Sequence, residues 1–406
     1  MPFEWFVALR YLRDAKAQTA LVLAAVSVGV SVIVFLSALI TGLQTSLIDK
    51  TLGSQAHITL RAPREEAQPL VEPTPTRGIA RLVEERSQRL RSIDQWPTVM
   101  AEVEHQDGVI AVSPAITGAG FAVRSDANSP IVIRGIEPER FLSIIDVRKR
   151  IVAGRYQIDG DDAVIGSKLA ADLGATVGDK LRITSSEGIG DVVTIRGIIT
   201  VGNDAIDHTW VLTSLRRAQA FYALPGGVTS IEVKVADVFD AERIAGELRG
   251  RTGLPADSWM TVNADLLSGL AAQSSSKLLI QFFVMVAVAL GIASVLIVSV
   301  VQRSREIGIL RAVGVRPRRI LLVFLIQGGV LGIVGSIIGS ALGAAFARTF
   351  ELAMRDASGT PRFPITLGLG LFVTAAGLAT GVGLLSAVIP ARRAARLDPV
   401  MAIRNG

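Results

Sequence analysis

Residues 303–319 read RSREIGILRAVGVRPRR and stand between two long uncharged apolar runs. Their first part, 305–313, has the makings of a compact helix, because Glu306, Leu310, Arg311 and Ala312 are strong helix formers. Ile307, Ile309, Leu310 and Val313 give it an apolar side, flanked by Arg303, Arg305 and Arg311. Gly314 can end such a helix, and Pro317 keeps it from continuing. Arg316, Arg318 and Arg319 need no more than a positively charged loop that orients neighbouring membrane helices. Such a loop needs only charge, whereas this nonamer is amphipathic. The pattern predicts a docking helix for a cytoplasmic partner.

Outward from this loop, apolar spans are expected at 278–301, 320–346 and 365–389, with another near the start at 17–45. The first holds an uncharged run, 17–43, about 40 Å long as a helix and too long for the core of a cleaved signal peptide. It reads as an uncleaved signal anchor. Residues 1–16 pair aromatic and aliphatic side chains with Arg10 and Arg13, as a helix lying in the headgroup region would. Half of the residues are hydrophobic, 19% are charged and the mean hydropathy is +0.47, which fits an integral membrane protein with a sizeable water-facing part.

The pI of 9.9 alone would suit nucleic acid, but charge placement decides otherwise. Segments 1–18, 302–319 and 390–406 carry 13 basic residues against four acidic ones, while 46–277 holds 26 basic against 30 acidic. That asymmetry is a topology signal. It predicts a cytoplasmic N-terminus, an external domain over 46–277, a cytoplasmic loop at 302–319, a short external loop at 347–364 and a cytoplasmic tail at 390–406. No nucleic-acid partner is expected. The chain has no cysteine, so disulfides and thiolate metal sites are excluded.

Within 46–277 the pattern changes to short strands and helices. Strands are expected at 56–61, 109–123, 130–136, 192–201 and 229–235, with helices at 78–93, 99–106 and 214–223. Residues 163–183 read as strand, helix, turn and strand. Asp240 looks like the N-cap of a helix to 249, 259–262 like a last short strand, and the proline-rich stretch 63–75 like an irregular loop. The fold class is therefore an α-helical membrane protein with four transmembrane helices and a large extracytoplasmic α+β domain.

No catalytic constellation is found. The chain lacks GxxxxGK[ST], and GDDAVIGSK at 160–168 has the wrong spacing to cradle phosphate. Asp204, Asp207 and His208 read as a solvated loop, and no metal site is expected. The spans contain no charged residue or histidine, which argues against a proton-coupled transporter or an ion channel. Gly335, Gly339 and Gly343 recur every four residues and form a helix-packing face; Gly377 and Gly381 are expected to do the same, within the monomer in preference to between subunits.

These residues resemble a known family. RSREIGILRAVGVRPRRI is similar to the loop after the second span of ABC-transporter permeases of the macrolide-exporter/FtsX type, and PARRAARLDPVMAIRN is similar to their C-terminal tail. One span, a large external domain and three spans is also that family's order. VALRYLRD, GSQAHITL, VIGSKLAADLGATVGDKLRI and GIITVGNDAIDHTWVLTSLRRAQ look most like its lipoprotein-releasing branch, LolC and LolE. The resemblance implies an external domain of two lobes, one inserted at about 125–225.

It also implies a non-catalytic permease of the bacterial inner membrane, which itself binds no cofactor. ATP and Mg would be used by a separate cytoplasmic ABC ATPase dimer. Arg305, Glu306, Ile307, Gly308, Leu310, Arg311, Ala312 and Gly314 would form the coupling helix seated in that ATPase. Other implied partners are a second permease copy or a homologous permease, a lipoprotein substrate and a periplasmic carrier protein. The acyl chains would lie against Leu39, Leu43, Leu47, Ile48, Leu266, Leu270 and Phe282. A tripartite efflux permease for a peptide, glycolipid or drug, and an FtsX-like scaffold that activates a cell-wall hydrolase, are the other roles open to this family.

Overall fold

The computed structural model describes residues 3–63, 90–93, 95–355, 361 and 365–397. Most of the expected loop 63–75, the body of the expected helix 78–93 and the tail from 398 lie outside the described residues. The chain divides into two compact units, Met1–Leu47 with Ser268–Gly406, and Ile48–Leu267.

It begins with α1 (Phe3–Asp14) and α2 (Lys16–Leu52). The domain then runs through β1 (Ile58–Arg61), α3 (Trp96–Glu104), β2 (Val109–Arg124) and β3 (Ala127–Ile136), the last two joined by a turn with Ser125 at a φ of 51°. α4 (Pro138–Ile144), β4 (Ile151–Gly154), β5 (Asp162–Gly166), α5 (Ser167–Asp172) and β6 (Lys180–Ser185) follow. Next come β7 (Gly190–Ile199), α6 (Asp204–Thr209), β8 (Trp210–Ser214) and α7 (Leu215–Phe221). β9 (Ser230–Val235), α8 (Ala241–Thr252), β10 (Ala256–Ser258) and α9 (Trp259–Val262) close the domain. Four further helices are α10 (Ala264–Gln302), α11 (Ser304–Ala312), α12 (Pro317–Ala353) and α13 (Leu369–Ala395). Among the helices of the described residues, α2, α10, α12 and α13 are long and apolar enough to cross a membrane.

In the domain, strand order is β10-β1-β9-β2-β3-β8-β5-β7-β4, and β6 pairs with both β2 and β7. β2, β3, β8, β5, β7 and β6 thus form a closed ring of pairings, whereas β10, β1, β9 and the first half of β2 form an open antiparallel sheet. The long β2 belongs to both: Val109–Ala115 pairs with β9 and Ala115–Arg124 with β3. Met100 and Val103 of α3 and Ile244 and Leu248 of α8 are buried with Ile58, Leu60 and Val233 of the open sheet. Across β2, Arg134 of β3 forms a buried ion pair with Glu232 of β9, and its guanidinium lies 4.4 Å from the Trp210 ring centroid and 5.2 Å from that of Phe141. A buried pair adds little net stability but is costly to split, so it fixes how the two strands flank β2.

Three local expectations are corrected. Residues 259–262 are a helical turn because Ser258 Oγ accepts from Thr261 N at 3.2 Å, a cap that a strand would not use. Asp240 does not cap α8; its carboxylate pairs with Arg243 at 2.9 Å. The supposed loop at 204–208 is α6, capped by Asn203 accepting from Ala205 N at 3.1 Å. Asp207 there is buried, and its carboxylate accepts from Val201 N at 2.6 Å and Gly202 N at 3.1 Å.

In the membrane unit, α12 is the most buried of the four long helices. One of its faces, Gly335, Gly339 and Gly343, lies on Val26, Ser27, Val30, Ser31 and Val34 of α2. Another, Gly328 and Gly332, lies on Ala379, Gly383 and Ala387 of α13. Without side chains in the way, the backbones approach closely. The expected packing of Gly377 and Gly381 within the monomer is not found: among the described residues, a Cβ there would meet nothing within 4 Å. α13 turns Gly383 and its alanines inward instead.

Candidate functional site

α11 follows α10 after a single intervening residue, Arg303, at φ −108° and ψ 15°. Helical hydrogen bonding passes through that joint: Arg303 N donates to Ser299 O at 3.1 Å and Ile307 N to Arg303 O at 3.0 Å. α11 stops at Gly314, whose φ of +96° suits glycine. Val315 N donates to Leu310 O at 3.0 Å and Gly314 N to Arg311 O at 3.1 Å, the two bonds of a Schellman close. Pro317 then opens α12, so Arg318 and Arg319 lie in a first helical turn and not in a loop.

The eight coupling-helix residues divide by face. Ile307 and Gly308 are buried, Ile307 in the apolar cluster with Val300, Ile320, Phe324, Ala391 and Ala394. Leu310 and Arg311 are half-buried. Arg305, Glu306, Ala312 and Gly314 are exposed, together with Ile309 at 49% and Val313 at 81%. The inward residues hold α11 on the bundle. The outward ones form a small patch of mixed apolar and charged groups, with Ile309 and Val313 its apolar part.

α1 lies beside this helix, which the sequence alone did not indicate. Ala8 and Tyr11 of α1 are buried with Val323 of α12, and Glu4 pairs with Arg319 at 3.5 Å. The Arg303 guanidinium lies 4.2 Å from the Tyr11 ring centroid, and its Nη2 donates to Tyr11 O at 3.3 Å. Asp14 and Glu306 approach the same guanidinium at 3.6 and 3.7 Å. Burial first, and the Glu306 charge second, push the Tyr11 phenol up to about 12, so it stays protonated. A cleft of about 470 Å³ opens here, lined by Lys16, Gln18, Gln302 and the two acids among others.

The seven acyl-chain residues are divided between the two compact units, Ile48 and Leu266 in one and the other five in the other. Leu39, Leu43, Leu47, Ile48, Leu266 and Leu270 are half-buried, and Phe282 is 58% exposed. Ile48 packs against the domain core, and Phe282 meets Phe283 edge-on. Contacts between α2 and α10 in this region include polar ones: Gln44 Nε2 donates to Leu270 O at 3.2 Å and Ser274 Oγ at 3.0 Å, and Gln281 Nε2 to Ser37 Oγ at 2.9 Å. Among the described residues no group of three His, Asp or Glu side chains could hold a metal.

Residues 19–251 match the family described as MacB-like periplasmic core domain, and residues 278–399 match FtsX-like permease C-terminal. The chain is 21% identical to the lipoprotein-releasing system transmembrane protein LolC of Neisseria meningitidis serogroup B, over 99% of each chain. It is 26% identical to the macrolide export ATP-binding/permease protein MacB of Photorhabdus laumondii, over 74% of this chain and 47% of that one. The crystal structure of the periplasmic region of MacB from Actinobacillus actinomycetemcomitans is similar at 12% identity and a TM-score of 0.34, covering 54% of this chain and 95% of that one.

Proposed function

Since the chain belongs to the MacB-like periplasmic core family and carries an FtsX-like permease C-terminal region, and so is an ABC-transporter permease subunit, we propose that it extracts lipoproteins from the outer leaflet of the inner membrane. The observation that carries the finer reading is coverage. The relative named for lipoprotein release matches end to end, 99% of each chain, whereas the chain spans about half of the MacB relative.

In this reading both termini are cytoplasmic and the α+β domain faces the periplasm. A separate ABC ATPase dimer, using ATP and Mg, seats α11 through the outward patch of Arg305, Glu306, Ile309, Ala312 and Val313. A second permease, identical or homologous, completes the complex. ATP-driven movement of α11 passes along α10, a continuous helix of 39 residues, to the domain, and a periplasmic carrier receives the released lipoprotein. The chain performs no bond chemistry of its own; its work is mechanical.

The test is purification of the tagged chain from its own membranes, with mass spectrometry of everything retained. A separate ATPase together with triacylated lipoproteins is the expected result. An ATPase with an outer-membrane channel would favour efflux, and absence of any ATPase would refute the reading. Val313→Glu, placing a charge on the exposed apolar residue that caps the C-terminus of α11 while leaving the buried face intact, should reduce the retained ATPase by about tenfold or more.

A further inference from the structure

We propose that Arg303 is a positioning residue that fastens the N-terminal helix α1 to the coupling helix α11, so that the ATPase moves both as one body. The proposal rests on α11 being the ATPase seat. Arg303 is the joint between α10 and α11, and its side chain turns away from solvent. It is only 12% exposed, whereas Arg305, Arg316 and Arg318 of the same basic stretch are exposed. Charge that merely orients a membrane helix has no need of burial.

Burial of an arginine requires partners, and these come from both helices. α1 supplies the Tyr11 ring, the Tyr11 carbonyl and the Asp14 carboxylate, while α11 supplies Glu306. Two carboxylates thus share one guanidinium, with Arg10 Nε a more distant partner of Asp14 at 3.8 Å. The flat guanidinium can stack on a ring while donating in its own plane, which an ammonium cannot do. Next to it, Gln18 Nε2 donates to Gln302 Oε1 at 3.1 Å and continues the seam onto α2. On its other side α1 is held to α12 by the cluster around Val323 and by Glu4 and Arg319. α1 is therefore clamped between the coupling helix and the following span, which a helix serving only as a surface anchor would not require.

The test uses the complete complex in lipid, with ATP hydrolysis measured with and without a synthetic triacylated lipopeptide. Arg303→Glu and Asp14→Arg should each lower the stimulated rate by about tenfold with the ATPase still bound, since a lost inter-element coupling of this kind is worth roughly a factor of ten. The charge-swapped double variant should recover most of that loss. Wild-type stimulation in the single variants, or a double variant no better than either single one, overturns the proposal. A wild-type chain that retains no ATPase refutes the docking reading instead, so the two failures are distinct.

Discussion

Gly335, Gly339 and Gly343 on α12, and Gly377 and Gly381 on α13, share one four-residue spacing on neighbouring membrane helices, yet the structure uses only the first set for packing. The difference lies in what faces them. α2 presents Val26, Val30 and Val34 at the same spacing, interleaved with Ser27 and Ser31, so each glycine receives a branched side chain or a carbonyl. Among the described residues, nothing lies within 4 Å of where a Cβ on Gly377 or Gly381 would be. A small-residue stripe is half of an interface, and only a complementary stripe completes it. The largest effect should come from breaking this contrast. A Cβ on Gly339 would lie 2.5 Å from the Ser27 carbonyl oxygen, a backbone atom that cannot step aside. Gly339→Leu should therefore cost ~3 kcal/mol or more, measured as loss of the folded, monodisperse chain in detergent. Gly377→Leu should change stability by about 0.5 kcal/mol or less. Equal damage from both would mean that the second stripe has a partner of its own.

An intermediate case sharpens the same point. Gly29 of α2 faces α10, but a Cβ there would meet the Val288 Cγ2 methyl at 2.5 Å, a side chain and not backbone. A methyl group can be removed. Gly29→Ala should cost about 1 kcal/mol, and Gly29→Ala/Val288→Ala should be more stable than the sum of the singles by about 0.5 kcal/mol or more. Strict additivity in thermal unfolding of the four proteins would show that α2 and α10 do not touch at this level.

The same logic explains what could be read from sequence. Four membrane helices and an α+β domain were legible because uncharged runs of span length and the arginine asymmetry are one-dimensional signals. So was the end of α11, since Gly314 and Pro317 act on their own backbone. The corrections fall where a partner distant in sequence or a local cap decides. Residues 259–262 look like a strand until Ser258 is seen capping them, and Asp207 looks solvated until the amides of Val201 and Gly202 are seen on its carboxylate. The partnership of Arg303 with Tyr11 and Asp14 spans nearly 300 residues, and no local pattern could announce it. The amphipathic nonamer was legible as a helix with two sides, but not which residues would face outward. Ile309 counts as apolar core by composition, yet it lies on the open face, while Gly308, which has no side chain to bury, is inside.

The smallest effect is expected where hydrogen bonds, not packing, join two spans. Gln281 Nε2 donates to Ser37 Oγ at 2.9 Å, linking α10 to α2. In water-poor surroundings such a bond looks indispensable, since an unpaired amide in hydrocarbon is costly. The unfolded chain in a membrane also finds partners for its polar groups, however, so the net value of an interhelical bond averages only about 0.6 kcal/mol. Gln281→Leu removes the amide along with the bond and leaves only the Ser37 hydroxyl, which can turn to a carbonyl of its own helix. Its cost should be about 0.6 kcal/mol, far below that of Gly339→Leu and visible only as a small shift in the unfolding midpoint. A loss as large as the glycine variant's would mean that α2 and α10 are held by their polar contacts, and that close backbone packing governs only the α2–α12 and α12–α13 seams.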